Sequence, residues 1–340
     1  MSNADNNILV VGNGFDLYHD LNTKYYDFVQ YAKNLSKGSI NDFAQGINIA
    51  RGNPFLKYFY KVAKLNDGWI DCEEEIENVI LTIQKLLDFR RNNGDRSFKR
   101  KDAYLSGKEE MASDCLDQLF KKSDVGYIDI NPDFLEENVL KEDSFFDALK
   151  KELENLIFIL QHYLSEEEKK LDSAKKYEQI SKINARYVIN FNYTDVYEKM
   201  YKKPEETLYI HGSLKDQDSI VLGIPDNDEV SLDFIYFKKY FQRIQKKCKR
   251  LATLNFVKHI SIDSIRPIVY FLGLSMGRTD EDLIRLIIEK ADKVIIYYYD
   301  QIDYEKKVMN LIDIYGREKI EENIDKEFFE FVRLDNQLDK

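Results

Sequence analysis

The chain has 340 residues, 44% of them hydrophobic, enough for one large or two medium domains with a sizeable core. Sixty-one acidic residues against 50 basic ones leave a net charge of −11, which argues against general nucleic-acid binding. The three cysteines, Cys72, Cys115 and Cys248, lie far apart and form no CxxC, so neither a zinc ribbon nor a redox pair is expected, and a reducing, cytoplasmic setting fits. No apolar run is long enough to span a bilayer, and the polar opening Met1–Asn7 carries no signal-peptide pattern.

The run Ile8-Leu9-Val10-Val11 reads as a buried strand that breaks into Gly12-Asn13-Gly14-Phe15-Asp16. Glycine at 12 and 14 lets the backbone come close to something. A helical pattern follows from about Thr23, and strand, glycine turn and helix together open many nucleotide-binding α/β domains. The third glycine of the dinucleotide fingerprint is absent, because position 17 is Leu. Tight-turn geometry alone would also explain the pair. If the turn cradles a pyrophosphate, Gly12→Val should abolish nucleotide binding and spare the fold.

Between residues 40 and 185 the pattern is helical. Ile76, Val79, Ile80, Ile83, Leu86 and Leu87 recur at helical spacing, as do Leu149, Leu153, Leu156, Leu160 and Leu164. Ahead of the first set stands Trp69-Ile70-Asp71-Cys72-Glu73-Glu74, in which Asp71 and Glu74 read as a capping box. The basic stretch Arg90–Lys101, around Asn92-Asn93-Gly94, reads as a loop between helices. His162 falls on the second apolar helix as a packing or surface residue.

Strand signals return with Tyr187–Phe191, Thr207–Ile210, Ser219–Leu222, Pro267–Leu274 and Lys293–Tyr299. The last two are continuous apolar or aromatic runs, as in strands covered on both faces of a parallel sheet. The first strand would then pair with strands nearly 180 residues later. The chain is therefore expected to be α/β: a Rossmann-like, mainly parallel sheet flanked by helices, formed by residues 1–40 and 185–340, with residues 41–184 as a large helical insertion.

Three strand ends carry chemistry. Phe191-Asn192-Tyr193-Thr194-Asp195 places an amide where parallel sheets bind ligands, although Asn192 or Thr194 would also cap the helix from Asp195. His211-Gly212-Ser213 brings the side chain best suited to proton transfer near neutral pH, beside a glycine that leaves room for a ligand. Gly273-Leu274-Ser275-Met276-Gly277 offers backbone donors and a hydroxyl for ribose or phosphate oxygens, with Thr279 or Asp280 as a helix cap. It also matches Gly-x-Ser-x-Gly, but no histidine follows His259 to complete a hydrolase triad. The basic run Tyr236–Arg250 reads as a solvated helix face.

In order along the chain, Gly-Asn-Gly-Phe-Asp-Leu (12–17), Leu21-Asn22-Thr23-Lys24-Tyr25-Tyr26-Asp27-Phe28, Trp69-x-Asp71-x-Glu73, Phe191-Asn192-Tyr193-Thr194, His211-Gly212 and Gly273-Leu274-Ser275 resemble the bacteriophage abortive-infection AbiH family. The resemblance covers nearly the whole chain. These proteins in turn look like distant relatives of the sirtuin-type NAD-binding fold. Gly12-Asn13-Gly14 and Tyr26-Asp27-Phe28 stand in the places of the sirtuin Gly-Ala-Gly turn and Pro-Asp-Phe-Arg stretch. Asn192, His211-Gly212 and Gly273-Leu274-Ser275 match the catalytic Asn, the catalytic His and the ribose-binding turn. The sequence departs at Asp195, one position late, at Val29 in place of Arg, and in lacking the zinc-module cysteines, which counts against a protein deacylase.

The resemblance implies an antiphage enzyme that cleaves the nicotinamide–ribose bond of NAD⁺, with Asn192 and His211 as the catalytic pair and no metal. Gly12, Asn13, Gly14, Phe15, Asp16, Thr23, Asp27, Gly273 and Ser275 would hold the nucleotide. A homo-oligomer or a defence partner protein is left open, and no membrane is involved. The alternative is a non-catalytic sensor or scaffold that binds NAD⁺ or ADP-ribose and presents its insertion to a partner. A nucleic-acid effector using Arg90–Lys101 and Tyr236–Arg250 is the weakest reading, given the net charge of −11.

Overall fold

The computed structural model describes residues 7–38, 43–66, 70–225, 229–248, 266–277 and 280–335. Trp69, His259 and Thr279 fall outside the described residues. The chain divides into two compact units: Met1–Thr23 with Leu164–Ile220 and Lys246–Lys340, and Lys24–Tyr163 with Val221–Gln245. Among the described residues no helix is long and apolar enough to cross a membrane.

The first unit is built on six strands, β1 (Ile8–Val11), β2 (Tyr187–Asn190), β3 (Glu206–Tyr209), β4 (Ile268–Leu272), β5 (Lys293–Tyr298) and β6 (Phe329–Arg333). Every neighbouring pair is parallel, and the order across the sheet is β3-β2-β1-β4-β5-β6. The alternating side chains of β1 explain why it can sit in the middle. Ile8 and Val10 pack with Val269, Phe271, Ile284, Ile287 and Leu311 on one face; Leu9 and Val11 pack with Phe15, Val188, Tyr197 and Leu272 on the other. Both faces of the central strand are covered, so its run is apolar throughout.

Strand order reverses between β1 and β4. Consecutive connections leave the sheet in opposite directions there, the arrangement that in open α/β sheets forms the ligand-binding crevice at the carboxyl ends. The register places Val11 beside Asn190 on one side and beside Leu272 on the other. The three motif-bearing strand ends are thereby brought level with the glycine turn after β1.

Ser219–Leu222, expected as a strand, is not one. In the second unit the Gln242 side chain takes the place of a neighbouring strand. Its Oε1 accepts from Leu222 N at 3.1 Å, and its Nε2 donates to Leu222 O at 2.9 Å. Buried apolar residues without a strand partner give the same pattern as a central strand.

The second unit holds helices Tyr25–Ser36, Ala44–Gly52, Pro54–Leu65, Cys72–Asn92 and Gly107–Ser113, and most of the helix Glu142–Glu168. Asp71 caps its helix by accepting from Glu73 N and Glu74 N. His162 packs flat on Phe43, ring centroids 4.0 Å apart. The stretch expected to be almost wholly helical also carries β-structure. Phe98–Lys99, Tyr127–Ile130 and Phe120–Lys122 form an antiparallel sheet, and Leu135–Glu136 pairs with Val139–Leu140. The buried Phe120, Ile128 and Ile130 alternate with more exposed neighbours, but over runs too short to stand out from helical spacing.

Two basic stretches also differ from expectation. Arg90 is no loop residue: its guanidinium is buried and binds Asp129 at 2.8 Å, Asp95 at 2.9 Å and the carbonyl of Asn138 at 2.7 Å. Lys238 and Lys239 are buried rather than solvated, with Lys239 Nζ 2.5 Å from Glu73. A partnered buried cation looks, in sequence, like a surface one.

Two glycines in the first unit separate backbone strain from crowding. Gly273 has φ +73° and a Cβ there would lie 2.0 Å from Phe15 N; Gly316 has φ +80° and open space around it. Gly316→Ala is expected to cost about 1 kcal/mol, the strain alone. Gly273→Ala should cost at least about 3 kcal/mol, because backbone must move as well. Chemical denaturation of the two variants checks this, and equal losses would refute it.

Candidate functional site

The turn after β1 and the turn after β4 are packed backbone to backbone. Gly12 N donates to Leu272 O at 3.2 Å, and Gly14 N donates to Gly273 O at 2.8 Å. A Cβ on Gly12 would stand 2.8 Å from Leu274 Cα, and one on Gly14 2.8 Å from Gly273 Cα. Gly12, Gly14 and Gly273 are therefore required by the approach of the two turns. The Gly14 amide is engaged within the protein. A branched side chain at Gly12 would strike Leu274 and Gly273, so Gly12→Val is expected to strain the contact between the two turns as well as any ligand space.

Beneath these turns lies a buried polar knot. Asp16, in the short helix Asn13–Tyr18, is 1% exposed. Its Oδ1 accepts from Asn192 Nδ2 at 2.7 Å and its Oδ2 from Thr194 Oγ1 at 2.5 Å. Asn192 Nδ2 also donates to Gly12 O at 2.9 Å. The loop that carries Asn192 is shaped by Asn190, whose side chain accepts from Asn192 N and donates to Thr194 O, both at 2.8 Å. Burial pushes the Asp16 carboxyl up to about 7, against the opposing hydrogen bonds from Thr194 and Asn192, and with a small push from the Glu168 charge.

His211 stands at the end of β3, buried against Phe191 (ring centroids 5.9 Å) and Tyr193 (6.5 Å), the neighbours of Asn192. Its Nε2 lies 3.5 Å from Asp280 Oδ1, next to the helix Glu281–Glu289 that follows the β4 turn. Gly212 takes φ +84°, and a Cβ there would lie 2.2 Å from Ser219 O. The glycine beside His211 thus makes room for the protein's own backbone, not for a ligand. In the β4 turn Ser275 is exposed, while Met276 is buried at φ +58°, an unfavourable conformation for a branchless but bulky side chain. Glycine turn, Asn192, His211, Asp280 and Ser275 all lie at the carboxyl ends of β1 to β4.

The family Bacteriophage abortive infection AbiH matches residues 8–300. The chain belongs to the AbiH family. No curated protein and no solved structure matches it. The family's description points to a role in phage abortive infection.

The other expected ligand residues of this AbiH protein divide by location. Asn13 is exposed at the crevice, and its Oδ1 accepts from Thr23 Oγ1 at 2.5 Å. Phe15 is fully buried, with its ring 4.6 Å from that of His19, and serves the core. His19 is itself held by Phe15 O at 2.8 Å and Tyr201 Oη at 2.6 Å. Asp27 belongs to the first turn of Tyr25–Ser36 in the second unit. Asp195 turns to Lys215 at 2.9 Å and Tyr209 at 3.3 Å. The carboxylate beside Asn192 is supplied instead by Asp16, 176 residues earlier. A surface cleft lined by Lys176, Ser181, Ile183, Asn184, Tyr197, Tyr201 and Lys202 shares no residue with the crevice.

Two contributors escaped the sequence reading. Asp280 looked like a helix cap, and Tyr299 like the end of a strand. The Tyr299 hydroxyl donates to Gly14 O, and burial raises its pKa. For Asp280 the only signal was its place a few residues after Gly-x-Ser.

The raised Asp16 pKa has a definite sign. A carboxyl whose folded pKa is about 7 and whose unfolded value is about 3.8 favours folding less as pH rises through that window. Relative to wild type, Asp16→Asn should therefore gain Tm between pH 4 and pH 7, by about 2 °C or more. Parallel Tm–pH curves for the two proteins would show that Asp16 titrates normally.

Proposed function

We propose that this AbiH protein hydrolyses NAD⁺ at the nicotinamide–ribose bond, within a Rossmann-like, sirtuin-related core. The observation that carries the reading is the meeting of the glycine turn, Asn192, His211 with Asp280, and the Ser275 turn at the reversal point of a parallel sheet. Loss of NAD⁺ would arrest an infected cell, which accords with an abortive-infection role.

In the reaction, water adds to the anomeric carbon while the bond to the pyridinium nitrogen breaks. The electron pair leaves on nicotinamide, which is neutral, so the leaving group needs little acid help. The site has to position the water and stabilise positive charge on the ribose. His211 takes the water's proton, and Asp280 beside it stabilises the imidazolium that forms. Asn192 orients the ribose hydroxyl or the water. The exposed Asn13 and Ser275 reach the rest of the nucleotide.

A second reading is favoured by the engaged groups. Gly14 N–H and both amide hydrogens of Asn192 already have partners inside the protein. A site so well satisfied at rest suits a sensor that binds NAD⁺ or ADP-ribose without turnover.

Incubation of purified protein with NAD⁺, followed by measurement of free nicotinamide, separates the two. His211→Ala is expected to lower turnover by about 10²-fold while binding falls much less. Saturable ADP-ribose binding with no turnover in the wild type would favour the sensor. A His211→Ala protein as active as wild type would remove His211 from the chemistry.

A further inference from the structure

The Asn192 carboxamide has four hydrogen-bonding positions, two amide hydrogens and two oxygen lone pairs, and both hydrogens are fixed by acceptors. Its nitrogen donates to Gly12 O at 2.9 Å and to Asp16 Oδ1 at 2.7 Å. Turning the amide over would set its oxygen against a carbonyl and a carboxyl oxygen, so only one orientation is allowed. Among the described residues nothing donates to the remaining atom, Asn192 Oδ1. The residue as a whole is 8% exposed.

Asp16 supplies one of the two acceptors that fix the Asn192 amide. It is fully buried, and among the described residues no cation pairs with it. A buried carboxyl held by two neutral donors is costly, and replacing it with an apolar group would be the cheaper way to fill the space. What an apolar group could not supply is the acceptor opposite Asn192. Thr194 holds the second oxygen at 2.5 Å and so fixes the first. An uncharged carboxyl does the work equally well, because its proton can sit on Oδ2 and leave Oδ1 as acceptor.

We infer that Asp16 is a positioning residue that locks the Asn192 carboxamide with its oxygen facing the crevice, and that this oxygen receives a ribose hydroxyl of the ligand. The ligand half of this rests on the nucleotide reading above; the lock itself does not.

The lock is read without ligand. Protein labelled with ¹⁵N-asparagine shows the Asn192 side-chain amide, identified by its loss in Asn192→Ser. Its hydrogen exchange should be slow in wild type and in Asp16→Asn, which keeps an acceptor oxygen. In Asp16→Ala it should be faster by about 10-fold or more. Thr194→Val, which frees one carboxyl oxygen, should give an increase of about 3-fold and serves if Asp16→Ala does not fold. Unchanged exchange in both Asp16→Ala and Thr194→Val overturns the lock, and so does equal acceleration in Asp16→Asn and Asp16→Ala.

The ligand half is read by calorimetry with ADP-ribose and with ADP, which lacks the second ribose. Asp16→Ala should weaken ADP-ribose binding by about 10-fold and leave ADP within about 2-fold, and Asp16→Asn should recover most of the loss. Equal weakening for both ligands overturns the ribose contact. Wild-type protein that binds neither ligand refutes the nucleotide reading and the ribose contact with it, while the exchange experiment still decides the lock.

Discussion

The rest of the first unit depends on the contact between the turns after β1 and β4. Their backbones approach so closely that a Cβ at Gly12, Gly14 or Gly273 would lie under 3 Å from main-chain atoms of the other turn. That contact joins strands separated by more than 250 residues at the place where strand order reverses. It sets where the helix Asn13–Tyr18 begins, and hence where Asp16 enters the interior. Even Tyr299, at the end of β5, is tied to it through Gly14 O. Glycines that look made for a ligand are first of all demanded by the fold, and whatever a ligand gains there it gains from a scaffold already closed.

The second constraint is electrostatic. Asp16 lies in the interior with two neutral donors and a like charge on Glu168 that raises its pKa slightly. Its burial weakens the folded state as pH rises, so it is a poor device for stability. It is a good device for specificity, because it links two motifs far apart in the chain through atoms that accept no other arrangement. The same reasoning covers Arg90 in the second unit, whose planar donors reach two carboxylates and a carbonyl. Both residues exchange hydration for geometry.

Legibility of the sequence followed the range of the interaction. Runs such as Ile8–Val11 and residues 294–298 of β5 announce buried strands because each is apolar or aromatic by itself. Their order across the sheet is set by pairing between remote segments, and no local pattern encodes it. Phe120–Lys122 and its partners were missed because three or four alternating residues carry too little signal. Arg90 and Lys239 were placed at the surface because their acidic partners, Asp129 and Glu73, lie 39 and 166 residues away. At the crevice, Asn192 and His211 were visible as polar residues at strand ends. Asp280 was not, since an acid before a helix is what capping alone would put there, and its neighbour His211 comes from another strand.

The engaged amides also bear on what the crevice prefers. With Gly14 N–H bound to Gly273 O, the glycine turn offers a phosphate less than its sequence promises. The exposed groups there are the side chains of Asn13 and Ser275, and the lock inferred above adds the oxygen of Asn192, which can only accept. Asp280 adds a carboxylate beside His211, on a chain with a net charge of −11. Such a surface resists a polyanion and suits hydroxyl groups, which can donate to it. It also suits a ligand that carries or develops positive charge. NAD⁺ in the proposed reaction does both, since its pyridinium ring is cationic before cleavage and its ribose becomes so as the ring departs. The electrostatic match is therefore better for the reacting half of the dinucleotide than for its pyrophosphate, so binding strength would come from the ribose and the bases, and the charge near His211 would act chiefly on the transition state.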